Sequence, residues 1–292
     1  MNRVIRISAA LMLLASSAGA QVIVTPTNPN GWANDPFRTP FNGGTQGITA
    51  TQPRSGNGSL QMNITNNGQD RTGYALFAPG GGNFGLLSNL TSLGFDWYNS
   101  APAVQSPTLR LYFNVVNPNP SVGGTVIGQL GWYADNAING SVPTGAWTTS
   151  NLLDGTNDNM FLRLFSTSNG LLSGQVATTC INADRGSDFN ARMQSIPTWL
   201  GACNGSGSGS SARLDLSTAT VFGIAVDFGA FPGDGLTSYQ SFGDNVKIGF
   251  GQTSTTYNFE TATVVPEPAS VVLMGLGLAG VFGFARRRRI TK

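Results

Sequence analysis

Apolar and polar residues alternate with a period of two along most of the chain, the pattern of β-strands whose two faces meet different surroundings. The alternation is clearest at 109–115, where every second residue is apolar. Clusters of Gly, Pro and Asn separate the alternating segments and supply turn chemistry. The pattern predicts strands at 60–64, 93–97, 109–115, Val126–Tyr133, Met160–Phe165, Thr220–Phe228, Asn245–Phe250 and Thr256–Glu260.

The same pattern leaves little room for helices in the body of the chain. One short helix is predicted at Ser187–Ser195, where Phe189 and Met193 share a face. Many strands joined by turns favour two packed antiparallel sheets over a parallel α/β fold. We therefore predict an all-β fold, an antiparallel jelly-roll-like β-sandwich that forms an extracellular domain over residues 21–262.

The N-terminal segment, residues 1–20, has the layout of a secretory signal peptide. Arg3 and Arg6 precede an apolar run at 7–15, which is too short to span a bilayer by itself. Ala18 and Ala20 are small residues at the positions that signal peptidase recognises. Cleavage by signal peptidase is therefore predicted before Gln21.

The C-terminal segment, residues 263–292, contains three parts in a set order. Pro266-Glu267-Pro268 comes first, and the apolar stretch 269–285 follows it. The last part is a basic cluster made of Arg286, Arg287, Arg288 and Arg289. The apolar stretch reaches the lower length limit of a transmembrane helix, and the arginines should stay on the cytoplasmic side of the inner membrane. A single transmembrane helix with the body outside is predicted.

These three parts resemble the PEP-CTERM sorting domain of Gram-negative bacteria. The resemblance implies a precursor anchored in the inner membrane and processed near Pro-Glu-Pro by an exosortase, a polytopic membrane enzyme. It also implies a mature form at the cell surface or outside the cell, in a bacterium that makes exopolysaccharide and lives in biofilms. Release and re-anchoring both stay open, as does an ordinary single-pass anchor that is never processed.

Charge excludes one class of partner. From residue 21 to 265 the chain has nine basic and thirteen acidic residues, a net charge of −4. A nucleic-acid-binding domain would need clustered Lys and Arg, so no nucleic acid is expected. Charged residues make up 10% of the chain, against about 25% in an average soluble domain, which is consistent with a turn-rich exported β-protein.

The two cysteines, Cys180 and Cys203, are predicted to form a disulfide, because an exported chain meets an oxidising compartment. A redox or metal-binding role is the weaker alternative, since their spacing fits no Cys-x-x-Cys motif.

Histidine is absent from the chain, which removes Ser-His-Asp and Cys-His catalysis and the commonest transition-metal ligand. Glycoside hydrolysis needs only two carboxyl groups, yet Glu260 is the one glutamate between residues 21 and 265. We expect no enzymatic activity.

A structural calcium ion is the cofactor that we consider, because calcium takes oxygen ligands from Asp, Asn and backbone carbonyls. The candidate ligands are Asp154, Asp158, Asp35 and Asp244. Turn formation is the competing role for all four of them.

A ligand face is also suggested by the strand alternation. Arg110, Tyr112 and Asn114 share the face opposite the apolar residues of their strand, and Tyr133 could join them. The strings at 58–60, 95–98 and 243–246 resemble those of lectin-like and carbohydrate-binding sandwiches.

The expected function is that of a non-catalytic surface or matrix protein associated with exopolysaccharide. The alternative is a secreted lectin or carbohydrate-active enzyme.

Overall fold

A computed structural model describes residues 20–38, 41–65, 70–103, 105–116, 124–136, 138–165, 193–202, 215–229 and 238–262. Within these residues the chain forms fourteen β-strands and one short α-helix. The strands are β1 (Ala20–Val24), β2 (Trp32–Asn34), β3 (Thr45–Thr49), β4 (Ser59–Ile64), β5 (Arg71–Phe77), β6 (Gly85–Leu86), β7 (Leu90–Asn99), β8 (Thr108–Val116), β9 (Thr125–Trp132), β10 (Thr148–Asn151), β11 (Phe161–Phe165), β12 (Thr220–Gly229), β13 (Tyr239–Phe250) and β14 (Thr253–Phe259). The helix is α1 (Ile196–Ala202).

The strands form two sheets of seven strands each. In sheet A, β7 runs along one edge of β13, while β4 and β14 share its other edge. Strands β3, β1 and β10 lie outside β4, β14 and β7. Sheet B has the order β11-β9-β8-β12-β5-β2, and β6 pairs with the start of β12. Strands β4, β5, β7 and β8 alternate between the two sheets. In sheet A, β13 lies between β4 and β7, and in sheet B, β12 lies between β5 and β8.

The core lies between the two sheets and follows from the period-two pattern. Leu109, Leu111 and Phe113 of β8 face Phe95 and other apolar side chains of sheet A in one continuous buried cluster. Burying alternate apolar residues from both sheets is what holds a β-sandwich together. The predicted two-sheet sandwich is confirmed, and all eight predicted segments are strands.

One detail of the predicted sandwich is wrong. The sheets are not purely antiparallel, because β1 and β14 pair in parallel, with Ala20 opposite Thr255 and Val24 opposite Phe259. Most of the predicted helix Ser187–Ser195 lies outside the described residues. At its C-terminal end Gln194 forms an isolated bridge with Met160, and the helix α1 begins at Ile196. Met193 is buried, whereas Phe189 lies outside the described residues.

Candidate functional site

The predicted ligand face lies on the outer side of sheet B, and most of it is buried. Arg110 and Tyr112 of β8 are 4% and 0% exposed, and Tyr133, just after β9, is 2% exposed. Asn114 is half-buried. These residues therefore do not form the exposed face that the alternation suggested, because other parts of the chain cover this side of the sheet.

Arg110 makes a buried ion pair with Asp227 of β12. Its Nε and Nη2 atoms donate to the two oxygens of the carboxylate, Nη2 to Oδ1 at 3.0 Å. Burial lowers the pKa of Arg110 well below its usual value, and the neighbouring Arg38 acts in the same direction. The fully buried Asp227 carboxylate supplies the compensating charge.

The segment 35–38 covers this ion pair. The Tyr112 hydroxyl donates to Asp35 Oδ2 at 2.6 Å, and Asp35 Oδ1 accepts from the backbone N–H of Phe37 at 2.9 Å. The Phe37 ring stacks on Tyr112 with centroids 4.6 Å apart. Arg38 donates from Nη2 to the carbonyl of Gly229 at 3.0 Å. Burial raises the pKa of Asp35, and the bond from Tyr112 opposes that shift. This arrangement is a structural polar network.

The four candidate calcium ligands lie in three separate places. Asp35 is in the network on sheet B, Asp244 is on β13 of sheet A, and Asp154 and Asp158 follow β10. Asp154 Oδ1 accepts from the N–H of Thr156 at 2.9 Å, which is turn chemistry. Among the described residues, no group of three His, Cys, Asp or Glu side chains is placed to hold a metal ion. The oxygens of Asp35 and Asp244 accept bonds from N–H and O–H donors, an arrangement that does not fit a bound cation.

A small polar cleft opens beside β10. Its volume is about 240 Å³, and Asn139, Ser141, Ser150, Asn151 and Asp154 are among the residues that line it. Two buried indoles border it: Trp97 Nε1 donates to Ser150 Oγ at 3.0 Å, and Trp132 Nε1 donates to the carbonyl of Asn157 at 2.6 Å. Hydroxyl and amide groups dominate the lining, and Asp154 is the carboxylate among them. Such a lining suits a neutral, hydroxyl-rich ligand better than an ion.

The C-terminal end of the body is held at the far end of β14. Glu260 is fully buried, and its Oε1 accepts from Asn258 Nδ2 at 2.8 Å. Its backbone N–H donates to the carbonyl of Val24 at 2.8 Å. The next residue, Thr261, donates from its N–H to Asn57 Oδ1 at 3.0 Å. The body is therefore hydrogen-bonded up to Thr261, close to the start of the C-terminal segment.

Residues 264–289 match the model of a protein-sorting motif, PEP-CTERM. The chain carries a PEP-CTERM sorting motif. The predicted resemblance of Pro266-Glu267-Pro268 and the segment around it is thereby confirmed. A PEP-CTERM motif implies an exported protein whose precursor is anchored by its C-terminal tail and processed by an exosortase.

Comparison with curated proteins found no match to this chain. One similar solved structure is described as the structural basis for the promiscuous specificity of carbohydrate-binding modules from the beta-sandwich superfamily. It shares 12% identity at a TM-score of 0.33 and covers 74% of this chain. Another, described in a structural analysis of an exo-beta-agarase, shares 13% identity at a TM-score of 0.30 and covers 76% of this chain. The chain spans 56% of the length of the first and 23% of the second.

Several predicted features of this chain lie outside the described residues. They are Ala18, the cysteines Cys180 and Cys203, the tripeptide Pro266-Glu267-Pro268, the apolar stretch 269–285 and the arginines Arg286 to Arg289. The disulfide and the transmembrane helix stay predictions. In the part of the chain that the structure describes, no helix has the length and apolarity to cross a membrane.

Sequence reasoning missed Asp227, Arg38 and Asn57. Asp227 carried a signal, because it is a lone carboxylate inside a predicted strand that is otherwise mostly apolar. A charge at such a position indicates a buried partner. Arg38 and Asn57 lie in loops rich in Gly, Pro and Asn, where nothing local marks them.

Proposed function

We propose that this chain is an exported, non-catalytic surface or extracellular-matrix protein, sorted by an exosortase and associated with exopolysaccharide. The PEP-CTERM motif at 264–289 carries the proposal. In that function the β-sandwich is the mature part of the protein, and the tail serves only for sorting.

The chemistry of the body supports a non-catalytic role. The chain has no histidine, and several of its carboxylates are occupied in structural contacts. Asp227 is paired with Arg110, Asp35 accepts from Tyr112, and Glu260 accepts from Asn258 and Asn57. A general acid or base must instead be free to exchange a proton with a substrate.

The sorting function is tested by replacing Pro266, Glu267 and Pro268 together with alanine. The prolines favour an extended segment before the apolar stretch, while insertion depends on apolar length and the arginines. The variant should therefore insert normally but accumulate as an unprocessed precursor, seen by fractionation and immunoblotting. Pro102→Ala, at an exposed proline of the body, is the control and should be processed normally. Processing of the triple-alanine protein at the normal rate would contradict the proposal.

A second candidate function, a carbohydrate-binding lectin, is favoured by the cleft beside β10. Its hydroxyl and amide lining, bordered by Trp97 and Trp132, has the chemistry that a sugar requires. A glycan array probed with the mature protein tests it. Binding should weaken in Ser141→Ala and Asn151→Ala, which change lining residues, and persist in Asn83→Ala, at an exposed turn elsewhere. Equal glycan binding by all of these variants would place the sugar site outside the cleft.

A further inference from the structure

The loop between β3 and β4 closes over the end of β14. The side-chain Oδ1 of Asn57 accepts from the N–H of Thr261 at 3.0 Å and from its hydroxyl at 2.9 Å. The backbone N–H of Asn57 in turn donates to Glu260 Oε2. We call the five residues Ser55, Asn57, Asp244, Glu260 and Thr261 the exit clamp.

Asp244 ties the exit clamp into the centre of sheet A. Its Oδ2 accepts from the N–H of Ser55 at 3.3 Å, and its Oδ1 accepts from the N–H of Phe259 at 2.9 Å. Asp244 and Glu260 are both fully buried. The loop, β13 and β14 are therefore joined through two carboxylates that water does not reach.

Gly56 shows how closely the loop approaches Glu260. Its φ is +91°, and a Cβ atom at this position would lie 2.1 Å from Glu260 Oε1. Only glycine combines this backbone conformation with so short an approach. The tight fit means that the exit clamp is a built contact between residues about 200 positions apart in the sequence.

The exit clamp leaves a short tether before the sorting motif. Four residues separate Thr261 from Pro266, and a fully extended chain spans at most about 18 Å between these two residues. An extended peptide can be recognised by adding a strand to the sheet of its partner, through its main-chain hydrogen-bonding groups. Residues up to Thr261 are already hydrogen-bonded to the body and cannot join such a pairing while the exit clamp is closed.

We propose that the exit clamp restrains exosortase processing of the folded precursor, by making Thr261 the upstream limit of the peptide that the enzyme can engage. This inference rests on the proposed sorting function. It adds that the folded body itself sets the rate at which its tail is removed. A precursor with an open exit clamp presents a longer extended peptide and is processed faster.

Asn57→Ala tests the proposal, because Asn57 is exposed and its side chain holds Thr261 without entering the core. We expect a several-fold faster conversion of precursor to mature protein in a pulse-chase experiment, together with faster hydrogen exchange at the Thr261 amide. Asn136→Ala is the matched control. Asn136 is also exposed, and its Oδ1 accepts a backbone N–H, that of Val142 at 3.1 Å, away from the exit. The control should be processed at the wild-type rate.

Lengthening the tether distinguishes an effect of the exit clamp on processing from an effect of lower overall stability. Six Gly and Ser residues inserted after Ala262 should speed processing as Asn57→Ala does, and Asn57→Ala should add nothing further in that background. Unchanged or slower processing in both the Asn57→Ala and the extended chains would overturn the inference. The triple-alanine change at 266–268 in the same assay reports on the sorting function alone, so failure of either idea is recognised separately.

Discussion

Asp227 and Asp244 are both fully buried, and their surroundings hold them in different ways. Asp227 faces the guanidinium of Arg110, whereas Asp244 accepts from the backbone N–H groups of Ser55, Asn245 and Phe259. Burial raises the pKa of Asp244 to about 7, although these hydrogen bonds oppose the shift and Glu260 adds to it. The same residue type is therefore held by a cation at one position and by backbone N–H groups at the other.

Asp244 should make the free energy of unfolding depend on pH. Its pKa is about 7 in the folded protein against 3.8 as the ordinary value. The folded state thus binds the extra proton in this window, so its stability falls as pH rises from about 4 to about 7. Urea unfolding measured at several pH values across this range should show that the free energy of unfolding depends less steeply on pH in Asp244→Asn than in the wild type. Asp35, whose pKa is also raised, keeps a contribution of the same sign. An unchanged pH dependence of the free energy of unfolding in Asp244→Asn would contradict the prediction. Asp154→Asn, which changes an exposed aspartate, is the control.

Replacing one partner of the buried Arg110–Asp227 ion pair should lower the free energy of unfolding strongly. Arg110→Met removes the cation that is hydrogen-bonded to the Asp227 carboxylate and leaves it with Arg38, whose Nε lies 3.7 Å from Asp227 Oδ2. The free energy of unfolding should fall by up to about 3–5 kcal/mol. Arg54→Met is the comparison. Arg54 pairs with Asp96 at 3.0 Å, but its side chain is 38% exposed, so the loss should be about 1 kcal/mol or less. Adding Asp227→Leu to Arg110→Met should recover part of the loss, and urea titrations measure all of these variants. Equal losses for the two arginines would contradict this.

At the scale of elements, β9 depends on a glycine opposite an aromatic ring. Gly131 pairs with Phe161 of β11, and a Cβ at Gly131 would lie 2.1 Å from the ring. The Arg110 and Arg163 guanidinium groups lie 5.1 Å from the centroid of the same ring. The missing side chain makes room for Phe161, and the ring in turn packs against Arg110. The pairing of β9 and β11 and the buried ion pair are therefore coupled.

Gly131→Ala should destabilise the protein by about 1–3 kcal/mol, because the ring of Phe161 must move out of its place. Gly47→Ala is the matched control, since Gly47 lies on β3 at the edge of sheet A and a Cβ there meets nothing within 4 Å. That change should be close to neutral. Thermal unfolding of both variants measures the difference. A control as destabilised as Gly131→Ala would show that the cost comes from the backbone and not from the ring.

At the scale of the whole molecule, both ends of the body meet in one sheet. Strand β1 begins beside the predicted signal peptidase site before Gln21, and it pairs with β14, the strand that leads to the sorting motif. The first and last strands are more than 200 residues apart, so this pairing is non-local and must wait until β14 is available. Folding of this edge is therefore completed only after most of the chain has been exported.

Mature protein from the native host should begin at Gln21 and lack the segment from Arg286 to Lys292. A cut before Gln21 keeps the residues of β1 that pair with Thr256 to Phe259, so the mature body retains that edge of sheet A. Mass spectrometry of the terminal peptides decides both ends. An intact arginine tail on surface-exposed protein would contradict exosortase processing and indicate a plain anchor.

The sequence alone determined the features that are local. Period-two alternation at 109–115 predicts β8 because strand pleating relates neighbours in the chain. The sorting motif was equally visible, since enzymes read such signals as linear peptides. The polar strands β3 and β10 escaped prediction, because they lie at sheet edges and need no apolar alternation to pair with their neighbours.

Only the tertiary structure decided which polar residues are buried. Arg110 and Tyr112 alternate as exposed residues would, yet segment 35–38 covers them. Glu260 accepts a hydrogen bond from Asn57, 203 residues away in the sequence, and no local sequence pattern near either residue predicts this contact. The physical reason is that burial of a polar group is favourable only when a partner satisfies it, and such a partner is brought by the fold from anywhere in the chain.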